Sequence, residues 1–124
     1  MGGSYQELKV FQMAYDVAME IFELSKNFPK EEKYALTDQI RRSSRAVCAN
    51  IAEGYRKRIY PKHFSMKMSD ADAEASETAV WLRFAKDCGY LDTVRQNSSF
   101  KKYQEIGRML GSMIRNPEKF IPKQ

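Results

Sequence analysis

The stretch LTDQIRRSSRAVCANIAEGYRKR, residues 36–58, decides the fold of this chain. At 3.6 residues per turn, its small and aliphatic side chains fall on one side of a helix and its arginines on the other. Because serine and glycine on the inward side take up little room, we expect a neighbouring helix to approach closely. The amide of Asn50 also falls in that seam, where a buried polar group favours one neighbour over others. The inward side carries Leu36, Ile40, Ser43, Val47, Asn50, Ile51 and Gly54.

Three further segments have helical periodicity, and none alternates with the period of a strand. Prolines and a glycine mark the helix ends, and Asn97-Ser98-Ser99 is a candidate interruption near the start of the fourth helix. Four long helices with short loops predict an all-α, antiparallel up-down-up-down bundle. The predicted helices span about 5–26, 35–57, 61–87 and 93–114. We assign 1–4 to a flexible start or tag remnant, 5–116 to the bundle and 117–124 to a loosely held tail.

Helix 1 has more apolar surface than one bundle needs. Two adjacent apolar stripes cover about twice the ~100° that a surface helix of a monomer requires. The excess predicts a second buried surface, most simply a subunit contact; deeper burial within one bundle is the alternative. The stripes are Leu8, Phe11, Tyr15, Ala18 and Phe22, and Val10, Met13, Ala14, Val17, Ile21 and Leu24. We assign packing or oligomer contacts to Val10, Val17, Ile21, Leu24, Asn50, Glu53, Gly54 and Trp81.

Length and composition describe one basic globular domain. The 124 residues are 43% hydrophobic and 30% charged, and the formal net charge is +5. A basic chain favours an acidic partner such as nucleic acid. No secretory signal is recognisable, and no apolar run approaches the ~20 residues that span a bilayer. We therefore expect a cytoplasmic protein without a membrane partner, in which Cys48 and Cys88 are reduced thiols.

Patterns that carry catalytic or metal chemistry are missing from the sequence. The chain has one histidine, His63, and lacks Gly-x-Ser-x-Gly, P-loop, Gly-x-Gly-x-x-Gly and Cys-x-x-Cys patterns. A di-iron bundle needs paired Glu-x-x-His motifs. We expect Asp70, Glu74 and Glu77 of helix 3 to form a salt-bridging or solvated face. The sequence thus predicts no catalytic residue, metal, cofactor or small-molecule substrate.

Two groups of basic residues are the candidates for binding a polyanion. Lysine and arginine hold phosphates without reading base sequence. The helix 2 arginines have an alternative role, which is to pair with the helix 3 carboxylates within or between subunits. Tyr55 and Tyr60 flank the basic residues that follow helix 2, and they either stack on bases or pack locally. The two groups are Arg41, Arg42 and Arg45 on helix 2, and Arg56, Lys57, Arg58, Lys62 and His63 around the following turn; Lys101, Lys102 and Arg108 add positive charge on helix 4.

Several motifs resemble a family of bacterial four-helix bundles. The family includes proteins encoded in intervening sequences of large-subunit ribosomal RNA and the accessory variability determinants (Avd) of diversity-generating retroelements. The resemblance covers nearly the whole chain after Ser4, although Ala46 stands where the family often has serine. The motifs are Gln39-Ile40-Arg41-Arg42-Ser43, Asn50-Ile51-Ala52-Glu53-Gly54, Leu8 to Phe11, Phe28-Pro29 and Cys88-Gly89-Tyr90-Leu91.

The resemblance implies a barrel-like homopentamer with a basic surface. Residues 81–84 and 107–112 are closer to the Avd branch. For that branch the resemblance implies RNA or DNA and a reverse transcriptase as partners. We therefore interpret the chain as a noncatalytic oligomeric bundle that binds nucleic acid. The alternative is a structural protein–protein scaffold that does not bind nucleic acid.

Overall fold

The computed structural model describes residues 3–122, which form an all-helical bundle without a strand in that range. Consecutive helices are joined by short connections and run antiparallel. The predicted bounds of helix 3 match the structure, those of helix 2 differ by one residue at each end, and those of helix 4 differ by one residue at the end. The helices are α1 (Lys9–Ser25), α2 (Leu36–Arg56), α3 (Pro61–Asp87) and α4 (Thr93–Arg115).

The start of the chain differs from the prediction. Ser4, which we placed in a flexible start, caps a short 3-10 turn (Tyr5–Glu7): its hydroxyl accepts from Gln6 N at 3.0 Å, and its own amide donates to the Glu7 carboxylate at 2.9 Å. This reciprocal capping satisfies two backbone donors. Leu8 then has extended backbone, so α1 begins at Lys9. The remaining start and tail residues 1–2 and 123–124 lie outside the described range.

Local signals explain the ends of α3 and α4. Gly89 has φ of +82°, and Tyr90 N donates to Ala85 O at 2.8 Å, which closes α3 with a Schellman motif. Asp92 caps α4 by accepting from Arg95 N at 2.8 Å. The helix continues through the candidate interruption at residues 97–99. Because Ser99 is buried there, tertiary packing outweighs the weak helix propensity of that segment.

Small side chains bring α2 and α3 close together, as predicted. Thr78 donates to the Ser43 hydroxyl at 2.8 Å in the buried seam. A Cβ at Gly54 would lie 2.5 Å from the Met68 methyl and 2.8 Å from the Lys67 Cβ, so only glycine fits this approach. The seam therefore depends on the absence of a side chain at residue 54.

Asn50 does not have the role that we predicted for it. The side chain is only half-buried, and its amide donates to Ala46 O of its own helix at 2.9 Å. Its oxygen accepts from Lys67 Nζ at 3.5 Å, across a partly exposed edge of the seam. Since no buried amide is left to be satisfied, Asn50 does not select the neighbour of α2.

Asn50→Leu is therefore expected to change the free energy of unfolding by less than about 1 kcal/mol. Urea denaturation followed by circular dichroism measures this, and Asn50→Ala serves as the matched control. A loss of more than about 2 kcal/mol in both variants would restore the original interpretation of a structural amide.

The tail is held against the bundle as far as the described residues extend. Pro117–Phe120 forms a 3-10 turn, and the Phe120 ring stacks on buried Phe64 with centroids 5.4 Å apart. Ser65 donates to Ile114 O at 3.1 Å beside this pair. Our prediction of a loosely held tail is wrong for residues 117–120, because the Phe120 ring packs against the core.

The two ends of the bundle differ in what they contain. The α2–α3 turn shares one end with the Tyr5–Glu7 and Pro117–Phe120 turns. The opposite end holds the α1–α2 connection, where Tyr90 donates to the Glu32 carboxylate at 2.9 Å. The 21 residues of α2 separate these ends by roughly 30 Å. No helix in the range 3–122 has both the length and the apolar character needed to cross a bilayer.

Candidate nucleic-acid interface

The α2–α3 turn is closed by backbone hydrogen bonds and lies in a segment without acidic residues. No Asp or Glu occurs between Glu53 and Asp70. Lys57 N closes α2 on Gly54 O at 2.9 Å, and Tyr60 N donates to Lys57 O at 2.8 Å. Pro61 then begins α3. These hydrogen bonds fix the backbone of the segment that carries Arg56, Lys57, Arg58, Lys62 and His63. We call this group of five residues the basic turn.

The positive charge of the basic turn is not neutralised by any carboxylate among the residues that the structure describes. Four of its side chains are exposed, and none of the five forms an ion pair with a carboxylate in the range 3–122. Arg58 is half-buried: its guanidinium donates to Tyr55 O at 2.8 Å and lies 4.1 Å from the centre of the Tyr55 ring. The nearest acid along the chain, Glu53, pairs with Lys67 at 2.9 Å. The structure therefore brings these five predicted residues together as a cationic surface.

Sequence reasoning missed two basic residues at the same end. Arg115, in the last turn of α4, and Lys119, in the following turn, are both exposed and form no ion pair with a described residue. An antiparallel bundle places the end of α4 beside the start of α3, so the predicted topology already contained this signal. Both extend the cationic surface beyond the basic turn.

Arg42 forms an ion pair with carboxylates of α3, which is one of the two roles left open for it. Its guanidinium pairs with Glu77 and lies 3.4 Å from Glu74, both on α3. Trp81 Nε1 donates to the same Glu77 at 3.0 Å. The hydrogen bond to Glu77 raises the pKa of Arg42. Of the two roles left open for this arginine, the structure places it in the ion pair, and Asp70 is not part of that pair.

The other two helix 2 arginines lie against α1. Arg41 Nε donates to the Ser25 hydroxyl at 2.7 Å, and the guanidinium lies 4.8 Å from the centre of the Phe22 ring. Arg45 lies 5.8 Å from the same ring centre. These contacts are of the cation–π type. The helix 2 arginines are therefore separate from the basic turn, so the two predicted groups do not form one site.

The structure places most of one apolar stripe of α1 in the core and leaves part of the other exposed. Val10, Val17 and Ile21 are at most 2% exposed within the bundle, so they pack in the core and cannot reach a second subunit. Leu24 and Trp81 are half-buried against that core. In the other stripe Tyr15 is 52% exposed, Leu8, Phe11 and Phe22 are half-buried and Ala18 is buried; Met19, next to that stripe, is 46% exposed.

Side chains on the outer side of α1 and on part of α2 line a groove with a volume of about 430 Å³, which we call the aromatic groove. Burial raises the pKa of the Cys48 thiol at its base to about 11. Cys88 is exposed elsewhere, and both cysteines are free. The groove is lined by Tyr5, Phe11, Tyr15, Ala18, Met19, Phe22, Arg45, Cys48, Ala49 and Ala52.

These observations define an antiparallel four-helix bundle with a cationic surface at the α2–α3 turn and an apolar groove beside α1. A sequence model of the family described as 23S rRNA-intervening sequence protein matches residues 6–112. The chain therefore belongs to the 23S rRNA-intervening sequence protein family, as the motifs of α2 indicated.

A solved structure supports the same assignment. It is a 1.70 Å crystal structure of a protein with unknown function from the S23 ribosomal protein family of Bacteroides thetaiotaomicron VPI-5482. The two chains are 29% identical with a TM-score of 0.76, and the similarity covers 85% of this chain and 97% of that one. No curated protein matches the chain.

Proposed function

We propose that this protein is a noncatalytic, self-associating bundle that binds RNA through the phosphates at its basic turn. The observation that carries the proposal is the set of five basic side chains without a carboxylate partner among the described residues. Keeping like charges together without partners costs stability, and phosphates remove that cost when they bind. The family description refers to 23S rRNA, which makes RNA the first nucleic acid to test.

Self-association is the second part of the proposal. The aromatic groove exposes large apolar side chains on α1, and an exposed apolar patch of this kind is typical of an interface. A second apolar surface lies near the end of α3, where Val80 is 51% exposed and Phe84 54%. Because the two surfaces are different, contact between them would be head-to-tail, which closes into a ring when the rotation allows.

A ring would strengthen weak phosphate contacts. Each copy carries one basic turn, so an RNA that reaches two copies binds the second as an intramolecular event. The homopentamer implied by the family resemblance is one such ring, and we propose it as the assembly. We also propose a reverse transcriptase as a partner. This proposal rests on the resemblance of residues 81–84 and 107–112 to the Avd branch, and a separate binding assay would test it.

The alternative function is a protein–protein scaffold without nucleic-acid binding. Arg42 favours it, because this arginine is used in an ion pair with Glu74 and Glu77. The same reasoning does not extend to the basic turn, where all five side chains lack such a partner in the described chain. The proposed function therefore requires RNA binding, whereas the scaffold alternative predicts none.

A salt titration of RNA affinity separates them. Binding of a fluorescent 20-nucleotide single-stranded RNA is followed by anisotropy between 50 and 200 mM salt. Each neutralised phosphate contributes a slope of about −0.7 to log K against log salt for single strands, so we expect affinity to fall about tenfold or more over this range. Absence of binding at 50 mM, or an affinity independent of salt, would favour the scaffold.

A further inference from the structure

The exposed aromatic ring in the basic turn indicates which form of RNA would bind there. Resting on the proposed function, we infer that the turn binds unpaired nucleotides, with the ring of Tyr60 as a stacking surface for a base. Tyr60 is 53% exposed, and its neighbour Ile59 is 52% exposed. Exposed apolar surface surrounded by cations suits a nucleotide, which has a flat apolar base and a charged phosphate.

The backbone of Tyr60 is fixed on both sides. Its amide donates to Lys57 O at 2.8 Å, and its carbonyl accepts from Phe64 N at 3.0 Å. The following Pro61 restricts its backbone further. The His63 ring meets the Tyr60 ring edge-on, with centroids 6.0 Å apart. A ring held in this way loses little freedom when a base stacks on it, which favours binding.

Tyr55, the other tyrosine beside the turn, has a different role. It is half-buried, packs against the core and has the Arg58 guanidinium 4.1 Å from its ring centre. That arginine occupies one face of the Tyr55 ring. The structure therefore assigns packing to Tyr55 and leaves Tyr60 as the candidate for stacking.

The neighbouring cations explain why a single strand is preferred. Lys57, Arg58 and Lys62 lie within three residues of Tyr60, so phosphates on either side of a stacked base have cationic partners nearby. In an RNA duplex the faces of the bases are covered by their neighbours in the stack. A duplex would therefore contact the cations and gain nothing from the tyrosine ring.

The test compares two RNA probes with four proteins. The probes are a 20-nucleotide pyrimidine RNA and the same strand paired with its complement, and the proteins are the wild type, Tyr60→Ala, Tyr60→Phe and Tyr34→Ala. Tyr34 is the matched control, because it is 83% exposed at the opposite end of the bundle. We expect Tyr60→Ala to weaken single-strand binding about tenfold, and duplex binding less than about twofold. Tyr60→Phe and Tyr34→Ala should stay within about twofold of the wild type on both probes.

The outcomes distinguish this inference from the proposed function. Salt-dependent binding that is unaffected by Tyr60→Ala, or weakened equally for both probes, would overturn the stacking role and leave phosphate binding in place. Failure of the wild type to bind either probe at low salt would overturn the proposed function, and the inference with it. Because Tyr60 is exposed, Tyr60→Ala should keep its helix content, and circular dichroism checks this.

Discussion

Replacing Arg56, Lys57 and Arg58 by glutamine should lower the affinity for single-stranded RNA by about 100-fold at 0.1 M salt. Each lost phosphate contact removes about 0.7 from the slope of log K against log salt, which amounts to about fivefold in affinity at this concentration. Three contacts multiply to the expected loss, and the slope itself should fall by about 2. Anisotropy titrations at several salt concentrations measure both quantities.

The matched control changes the same net charge at the other end of the bundle. Lys30, Lys33 and Lys86 are exposed there and form no ion pair with a described residue, so their triple glutamine variant also loses three positive charges. We expect this control to bind RNA within about threefold of the wild type, because long-range attraction is screened at 0.1 M salt. Equal losses in the two triple variants would mean that net charge, and not the basic turn, determines binding.

Gly54→Ala should lower the free energy of unfolding by up to about 2 kcal/mol. Alanine in a helix ordinarily gains about 1 kcal/mol over glycine, but at this position its methyl group would lie 2.8 Å from the Lys67 Cβ and 2.5 Å from the Met68 methyl. The methionine can rotate, whereas the lysine Cβ is tied to the α3 backbone. The α2–α3 seam must therefore open, and such overpacking typically costs about 1–3 kcal/mol, of which the gain in helix propensity offsets about 1 kcal/mol.

Gly107→Ala is the control for this substitution. A Cβ at Gly107 would meet only the Asp72 carboxylate, at 3.4 Å, which is ordinary contact. The gain in helix propensity should then stabilise the protein by about 0.5–1 kcal/mol. Urea unfolding followed by circular dichroism compares both variants with the wild type. If Gly54→Ala proved as stable as Gly107→Ala, the close approach of α2 and α3 would be wrong.

Local signals made both ends of α3 predictable, whereas the role of each stripe on α1 depends on tertiary packing. Pro61 and Gly89 act on their own backbone, so both ends of α3 follow from the sequence. Helical periodicity shows that α1 has two apolar stripes but not which one meets the other helices. Val17 faces the core and Tyr15 faces outward because of where α2 and α4 lie, which no local pattern contains.

In the candidate interface, too, features set by neighbouring residues could be predicted, and contacts between helices could not. The basic turn could be predicted because its residues are neighbours in the sequence and share an acid-free segment. The ion pair of Arg42 with Glu77 could be anticipated only as an alternative, since it depends on the register between α2 and α3. Asn50 was misassigned because periodicity placed it in the seam, while the structure leaves it at the half-exposed edge.

Sedimentation velocity of a fluorescent single-stranded RNA in the presence of the unlabelled protein tests the central claim most directly. At 50 mM salt and micromolar protein, we expect the RNA to sediment with a species larger than one 14.4 kDa chain and to be released as salt is raised to 300 mM. The account would be contradicted if the RNA sedimented alone at every salt concentration while the protein sedimented as a monomer.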